Sequence, residues 1–301
     1  MSAAAAGRPL SRARAWKLAV RPPTLTAAMS PVFVGTAVAI SQGEFRALPA
    51  LAALSGALFL QVGANFANDV FDFKRGADTA DRLGPPRATQ MGLLSPTEML
   101  LGMWAMLGLA LVCGVYLAFA GGWPVVVFGL ASLAAAVVYT GGPWPIGYHA
   151  LGDLFTFVFF GLVAVVGTYY VQAKETTLLA WLAAVPVGCT VTAILVVNNL
   201  RDIDTDRATG KRTLAVVTGR GATRGWFVVL CAAAYAVALG TMVAGASPAV
   251  ILVLLSLPAA RGPIQAIRGD TRGAALNPVL KATARFHLVF GVLFAAGLAF
   301  S

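Results

Sequence analysis

About nine apolar runs follow one another along this chain, near 24–40, 48–73, 97–120, 124–140, 150–171, 177–200, 222–244, 247–261 and 284–300. Most reach the roughly 17–25 residues that an α-helix needs to cross a bilayer. With 58% hydrophobic and only 11% charged residues, and a mean hydropathy of +0.80, a soluble domain is excluded. The reading is an all-α integral membrane protein of about nine transmembrane helices. No linker or low-complexity stretch divides the chain, so residues 1–301 read as a single domain, with 1–20 a basic cytoplasmic arm.

Charge bias tests that topology, because Lys and Arg gather in cytoplasmic loops. With the N-terminus inside, 20 of the 22 Lys and Arg residues fall in inner segments, and only Arg46 and Lys174 lie outside. The C-terminus is then outside. The net charge of +10 reflects topology and contact with anionic membrane lipids, not a nucleic-acid surface. The arm has no apolar core of a secretory signal. Cys113, Cys189 and Cys231 are dispersed and read as packing residues.

Acidic residues are not dispersed. Seven of twelve occupy two short stretches: Asp69, Asp72, Asp78 and Asp81, then Asp202, Asp204 and Asp206. A charge near hydrocarbon costs about 3 kcal/mol or more, so such clusters mark a site. Four helical crossings separate the stretches, which places both on the cytoplasmic face. Asn68 and Asp72 are four apart, as are Asn198, Asp202 and Asp206, so each set shares a helix face. Oxygen ligands without His or Cys suit a hard cation such as Mg²⁺, with Mn²⁺ as a substitute, and argue against zinc or iron. The neighbouring Lys74, Arg82, Arg87, Arg201, Lys211 and Arg212 are candidate grips for a diphosphate.

The pattern NxxND-xx-D-x5-D at 65–78 and NNLRDIDTDRATGKRTL at 198–214 resembles the UbiA superfamily of intramembrane prenyltransferases. The segments RPPTLTAAMSPVFVGTA, DRLGPPRATQMGLLSP, YTGGPWPIGYHALGD, GTYYVQ and LNPVLKATARFHLVFG extend the resemblance over nearly the whole chain. Together they are similar to the branch that prenylates 1,4-dihydroxy-2-naphthoate in menaquinone biosynthesis. The resemblance implies a crescent of helices around a central cavity in the cell membrane. It also implies an isoprenyl diphosphate held on Mg²⁺ by Asn68, Asp69, Asp72, Asp78, Asn198, Asp202 and Asp206, with Asn68, Asp72, Asp202 and Asp206 foremost. Asp78 lies six residues beyond Asp72, where many members have four, which weakens its match. Metal and basic side chains would stabilise the departing diphosphate. Ring attack on the allylic cation with loss of CO₂ would give demethylmenaquinol.

Tyr139, Tyr169 and Tyr170 are candidates for facing the carbocation, and His149 and Gln172 for handling the aromatic acceptor. Enzymes acting on 4-hydroxybenzoate or homogentisate share the Asp chemistry, and a membrane transporter would also carry charges in its helices. Both remain alternatives at this stage.

Overall fold

The computed structural model describes residues 11–77 and 82–300. Among the described residues eight helices are long and apolar enough to cross a membrane: α1 (Arg12–Ser41), α2 (Ala47–Lys74), α3 (Pro96–Gly121), α5 (Gly152–Ala173), α6 (Leu178–Arg201), α7 (Leu214–Ala244), α8 (Pro248–Arg268) and α9 (Gly273–Ala299). A shorter apolar helix, α4 (Trp123–Val138), stands between α3 and α5. In hydrocarbon every backbone N–H and C=O must find a partner within the chain, and helices supply it. Among the described residues no strand forms, and one isolated bridge joins His149 to Arg212. This is a multi-pass membrane protein.

Local chemistry sets the helix starts. Ser95 and Glu98 form a reciprocal capping box at α3, with Pro96 at the first turn. Thr177 caps α6 by accepting the Ala180 N–H, and Thr213 caps α7 by accepting the Val216 N–H. That cap explains why α7 begins before the expected residue 222: its first turns carry Arg220, which hydropathy reads as loop. A break at Gly219, with φ 81° and ψ 171°, separates this polar start from the apolar remainder. For the same reason α8 and α9 extend through basic residues, to Arg268 and from Gly273.

The basic arm is structured where it is described. Arg12–Val20 is helical, capped by Ser11. It buries Ala15 and Ala19 and packs Trp16 at a tilt against Phe66 of α2, ring centroids 5.5 Å apart. At Arg21, with φ 53°, the chain turns through Pro22–Leu25 into the long apolar part of α1.

α2 packs on α3, α6 on α7, and α9 on α1. Large side chains such as Leu101, Trp104, Val112 and Phe119 stay exposed on the outer face of α3, which suits lipid contact. Within the bundle, α5 and α6 approach closely at Gly161 and Gly188. A Cβ on Gly161 would lie 2.7 Å from the Gly188 Cα, so only small residues permit this crossing. Between the helices runs a cavity of about 1450 Å³, lined by α1–α6 and α9.

Gly161→Ala should therefore cost about 1–3 kcal/mol by overpacking, seen as a lower Tm in detergent. Gly167→Ala, which meets nothing within 4 Å, should leave Tm unchanged or raised.

Candidate active site

α2 continues unbroken to Lys74, so Gln61, Asn65, Asn68 and Asp72 form one stripe, and all four line the cavity. α6 ends at Arg201. The chain then turns at Asp202 into a short helix, Ile203–Ala208, where the Asp206 N–H donates to the Asp202 carbonyl at 2.7 Å. Asn198, Asp202 and Asp206 consequently line the same end of the cavity as Asp72. At the other end Ala53 and Trp181 line it. Ala53 precedes Asp72 by 19 residues on α2, a rise of about 28 Å.

Each carboxylate is matched to a base. Asp72 accepts the Tyr148 hydroxyl on Oδ1 at 2.7 Å, and its Oδ2 pairs with Arg87 at 2.8 Å. Arg87 also donates to the Asn68 carbonyl. Asp202 is gripped on both oxygens by Arg201, at 2.8 and 2.6 Å. Lys211 Nζ stands 3.8 Å from Asp206 Oδ1 and 5.4 Å from the centre of the Tyr148 ring. Tyr148 and Lys211 thus bridge the two motifs. Burial, then the Asp72 charge, push the Tyr148 phenol above its usual range, so it remains a hydrogen-bond donor.

Asp206 stands apart from the other acids. Its Oδ2 is buried with no hydrogen-bond partner. Burial is the main force raising its carboxyl to about 6; Asp202 and Asp72 add to the rise, while Lys211 and Arg201 oppose it. The raised value favours the fold in acid, where the group is neutral, and this contribution is lost as pH climbs through 6. An orphaned carboxylate oxygen beside further Asp and Asn oxygens, with phosphate-binding bases close by, fits a hard divalent cation. Among the described residues no three acidic, His or Cys side chains converge closely enough to hold a metal ion by themselves.

The comparisons agree with this geometry. Residues 28–299 match the UbiA prenyltransferase family. The chain belongs to that family. It is 36% identical over 295 residues to a 1,4-dihydroxy-2-naphthoate octaprenyltransferase of Bacillus subtilis (strain 168), spanning 95% of this chain and 92% of that one. It is 38% identical over 288 residues to the protein of the same name in Mycobacterium tuberculosis (strain ATCC 25618 / H37Rv), spanning 95% and 97%. The fold is similar to that of a UbiA homolog from Archaeoglobus fulgidus bound to GPP and Mg²⁺, with a TM-score of 0.67 at 16% identity over 94% of this chain and 99% of that one.

The UbiA-type cavity collects some expected residues and leaves others out. Tyr139, Tyr170, Arg82, Arg87, Arg201 and Lys211 line it. Arg201, however, is fully occupied by Asp202, Asn198 and Asn277, so it organises the motif and does not stand free for diphosphate. Asp69 is no ligand: its two oxygens accept the Ala88 and Thr89 N–H groups at 3.2 and 3.1 Å and anchor the loop after α2. Lys74 and Arg212 are exposed away from the lining; Arg212 contributes its backbone, which pairs with Tyr148 and Ala150. Tyr169 is buried in the helical core, one residue and therefore 100° out of phase with Tyr170. Gln172 bonds the Arg46 N–H and the Thr168 carbonyl, and His149 stacks on Trp144 at 4.0 Å. Neither faces the cavity. Asp78 lies outside the described residues.

Two features were missed in the sequence. Tyr148 carried no signal beyond its position beside His149. Asn65 did: it is three residues before Asn68 and seven before Asp72, in phase with both. It donates to the Val20 carbonyl and the Thr24 hydroxyl, each at 2.8 Å. Beside it Arg21 lines the cavity, its buried Nη2 without a hydrogen bond but 4.0 Å from Asp69 Oδ2.

Asp69→Asn removes one acceptor from a buried N–H and should cost about 1–3 kcal/mol, lowering Tm while leaving half-saturation by Mg²⁺ unchanged. Because a proton and a cation compete for Asp206, apparent Mg²⁺ affinity should fall below about pH 6. Asp206→Asn should flatten that pH dependence; both are read by titration calorimetry.

Proposed function

We propose that this protein transfers a polyprenyl group from an isoprenyl diphosphate to 1,4-dihydroxy-2-naphthoate, with loss of CO₂ and diphosphate, in menaquinone biosynthesis. The observation that carries this reading is the cavity itself, with two Asp-bearing helix ends at one end and apolar walls running about 28 Å from it. The naphthoate acceptor is supported by relatives of that activity spanning nearly the full chain. A transporter is disfavoured because its solute would not call for paired Asp motifs flanked by phosphate-binding bases.

Asn68, Asp72, Asn198, Asp202 and Asp206 would hold Mg²⁺. When bound, the cation neutralises the diphosphate and stabilises charge on its leaving oxygens. Lys211, Arg82 and Arg87 take up diphosphate oxygens as the allylic C–O bond breaks. The Tyr139 ring, at the Asp end, faces the allylic carbocation, whose charge its π-electrons stabilise; Tyr170, near the end of α5 and against Gly121, lines the opposite, tail end of the cavity. Apolar side chains of α5, where Phe157–Val163 widens into a π-turn, contribute Phe159, Phe160 and Leu162 to the wall and exclude water from the cation. Arg21, whose Nη2 makes no hydrogen bond and has only the Asp69 carboxylate 4.0 Å away, holds the acceptor carboxylate beside Asn65. The electron-rich ring attacks the allylic carbon, the new C–C bond forms, and CO₂ leaves from the ring. The concentration of Lys and Arg around the Asp end supports its facing the cytoplasm from the cell membrane.

Purified protein given Mg²⁺, 1,4-dihydroxy-2-naphthoate and isoprenyl diphosphates of several lengths should yield a prenylated, decarboxylated product by mass spectrometry. Asp72→Asn and Asp202→Asn should lower turnover by orders of magnitude. Full activity in either variant, or in EDTA, would overturn the assignment.

A further inference from the structure

A second, smaller cavity of about 220 Å³ lies behind the second motif, between the start of α5, the end of α6 and the broken start of α7. Its polar lining is Asp153, Asn199, Thr218, Thr223 and Trp226. Asp153 is 6% exposed. Its Oδ2 accepts the Trp226 indole N–H at 3.1 Å, whereas its Oδ1 is buried with no hydrogen-bond partner. Asp153 is the one charged residue lining the cavity. The cations on the adjoining face of α7 are engaged elsewhere: Arg220 with Asp204 and the Leu200 carbonyl, Arg224 with Asp270 and the Thr271 carbonyl.

The two threonine hydroxyls lie 3.4 Å apart, and each also reaches a backbone carbonyl. Thr218 donates to the Leu214 carbonyl at 2.9 Å, and Thr223 to the Gly219 carbonyl at 2.7 Å, at the break in α7. What these side chains present to the cavity is oxygen lone pairs. Together with Asp153 Oδ1 and the side-chain amide of Asn199, they make a polar chamber whose lining charge is that of the Asp153 carboxylate. We propose that this chamber is a binding site for a monovalent metal cation, sodium or potassium. Hard oxygen ligands, one of them anionic, suit such an ion. A single positive charge neutralises Asp153, whereas a divalent ion would leave excess charge in an apolar setting. The volume admits the ion with several waters, each of which occupies about 30 Å³. Asn199 lines both this chamber and the large cavity, so the ion would brace the second motif from behind.

The inference stands apart from the prenyl-transfer reading, because its readout is stability. The full-length protein in detergent, with EDTA to remove divalent ions, is melted over a concentration series of NaCl, KCl or choline chloride at constant ionic strength. Tm should rise saturably with sodium or potassium and not with choline. Asp153→Asn should abolish the response, and Thr223→Val should raise the half-saturating concentration about tenfold, the equivalent of one lost ligand at about 1.4 kcal/mol. Identical curves in all three salts would overturn the proposal, as a water-filled chamber around a neutral carboxyl predicts. So would an Asp153→Asn variant that tracks the wild type; if that variant does not fold, an unchanged half-saturation in Thr223→Val decides against the site.

Discussion

The buried guanidinium of Arg201 ties together the parts on which the candidate active site depends. Its Nε and Nη2 hold Asp202, Nη2 also reaches Asn198, and Nη1 donates to Asn277 at the start of α9. Asn277 in turn donates to the Leu83 carbonyl in the loop after α2. One cation thus joins the end of α6, the start of α9 and the loop that follows the first motif. Gly84 lies against it, since a Cβ there would stand 2.7 Å from Arg201 Nη2. Five donors in a rigid plane make arginine, and not lysine, able to do this.

Around that knot the carboxylates are balanced pair by pair. Asp72 has Arg87 and Tyr148, Asp202 has Arg201, and Asp206 has only a distant Lys211. Buried ion pairs of this kind contribute little net stability, but removing one partner is costly because the other is left uncompensated. Asp206, the least matched, has the greatest unmet demand for positive charge. The site is therefore charged in advance for a polyanion accompanied by metal.

The helical runs were legible because hydrocarbon demands length and low charge, and the two Asp sets because four-residue spacing survives into α2 and through the turn at Asp202. What the sequence concealed were facts of rotation and distance. In helices apolar on nearly all sides, nothing local tells Tyr170, on the cavity, from Tyr169, in the core. Asp69 resembled a ligand, yet its partners Ala88 and Thr89 lie 19 and 20 residues away across a loop. Hydropathy also shortened α7 and α9, whose basic ends continue as helix past the apolar core.

The stripe Gln61, Asn65, Asn68 and Asp72 on α2 has a further consequence. All four belong to one rigid rod, so in the proposed reaction the acceptor side and the diphosphate side would be held at fixed separations on a common scale. Asn65 and Asp72 are seven residues apart, about 10 Å along the axis and nearly back in phase after two turns. On that proposed reading the helix would serve as a ruler, setting how far the attacking ring stands from the departing group. Inserting a single residue between Asn65 and Asn68 would rotate one set of marks by about 100° relative to the other, uncoupling the two halves of the proposed chemistry without deleting any of the four side chains.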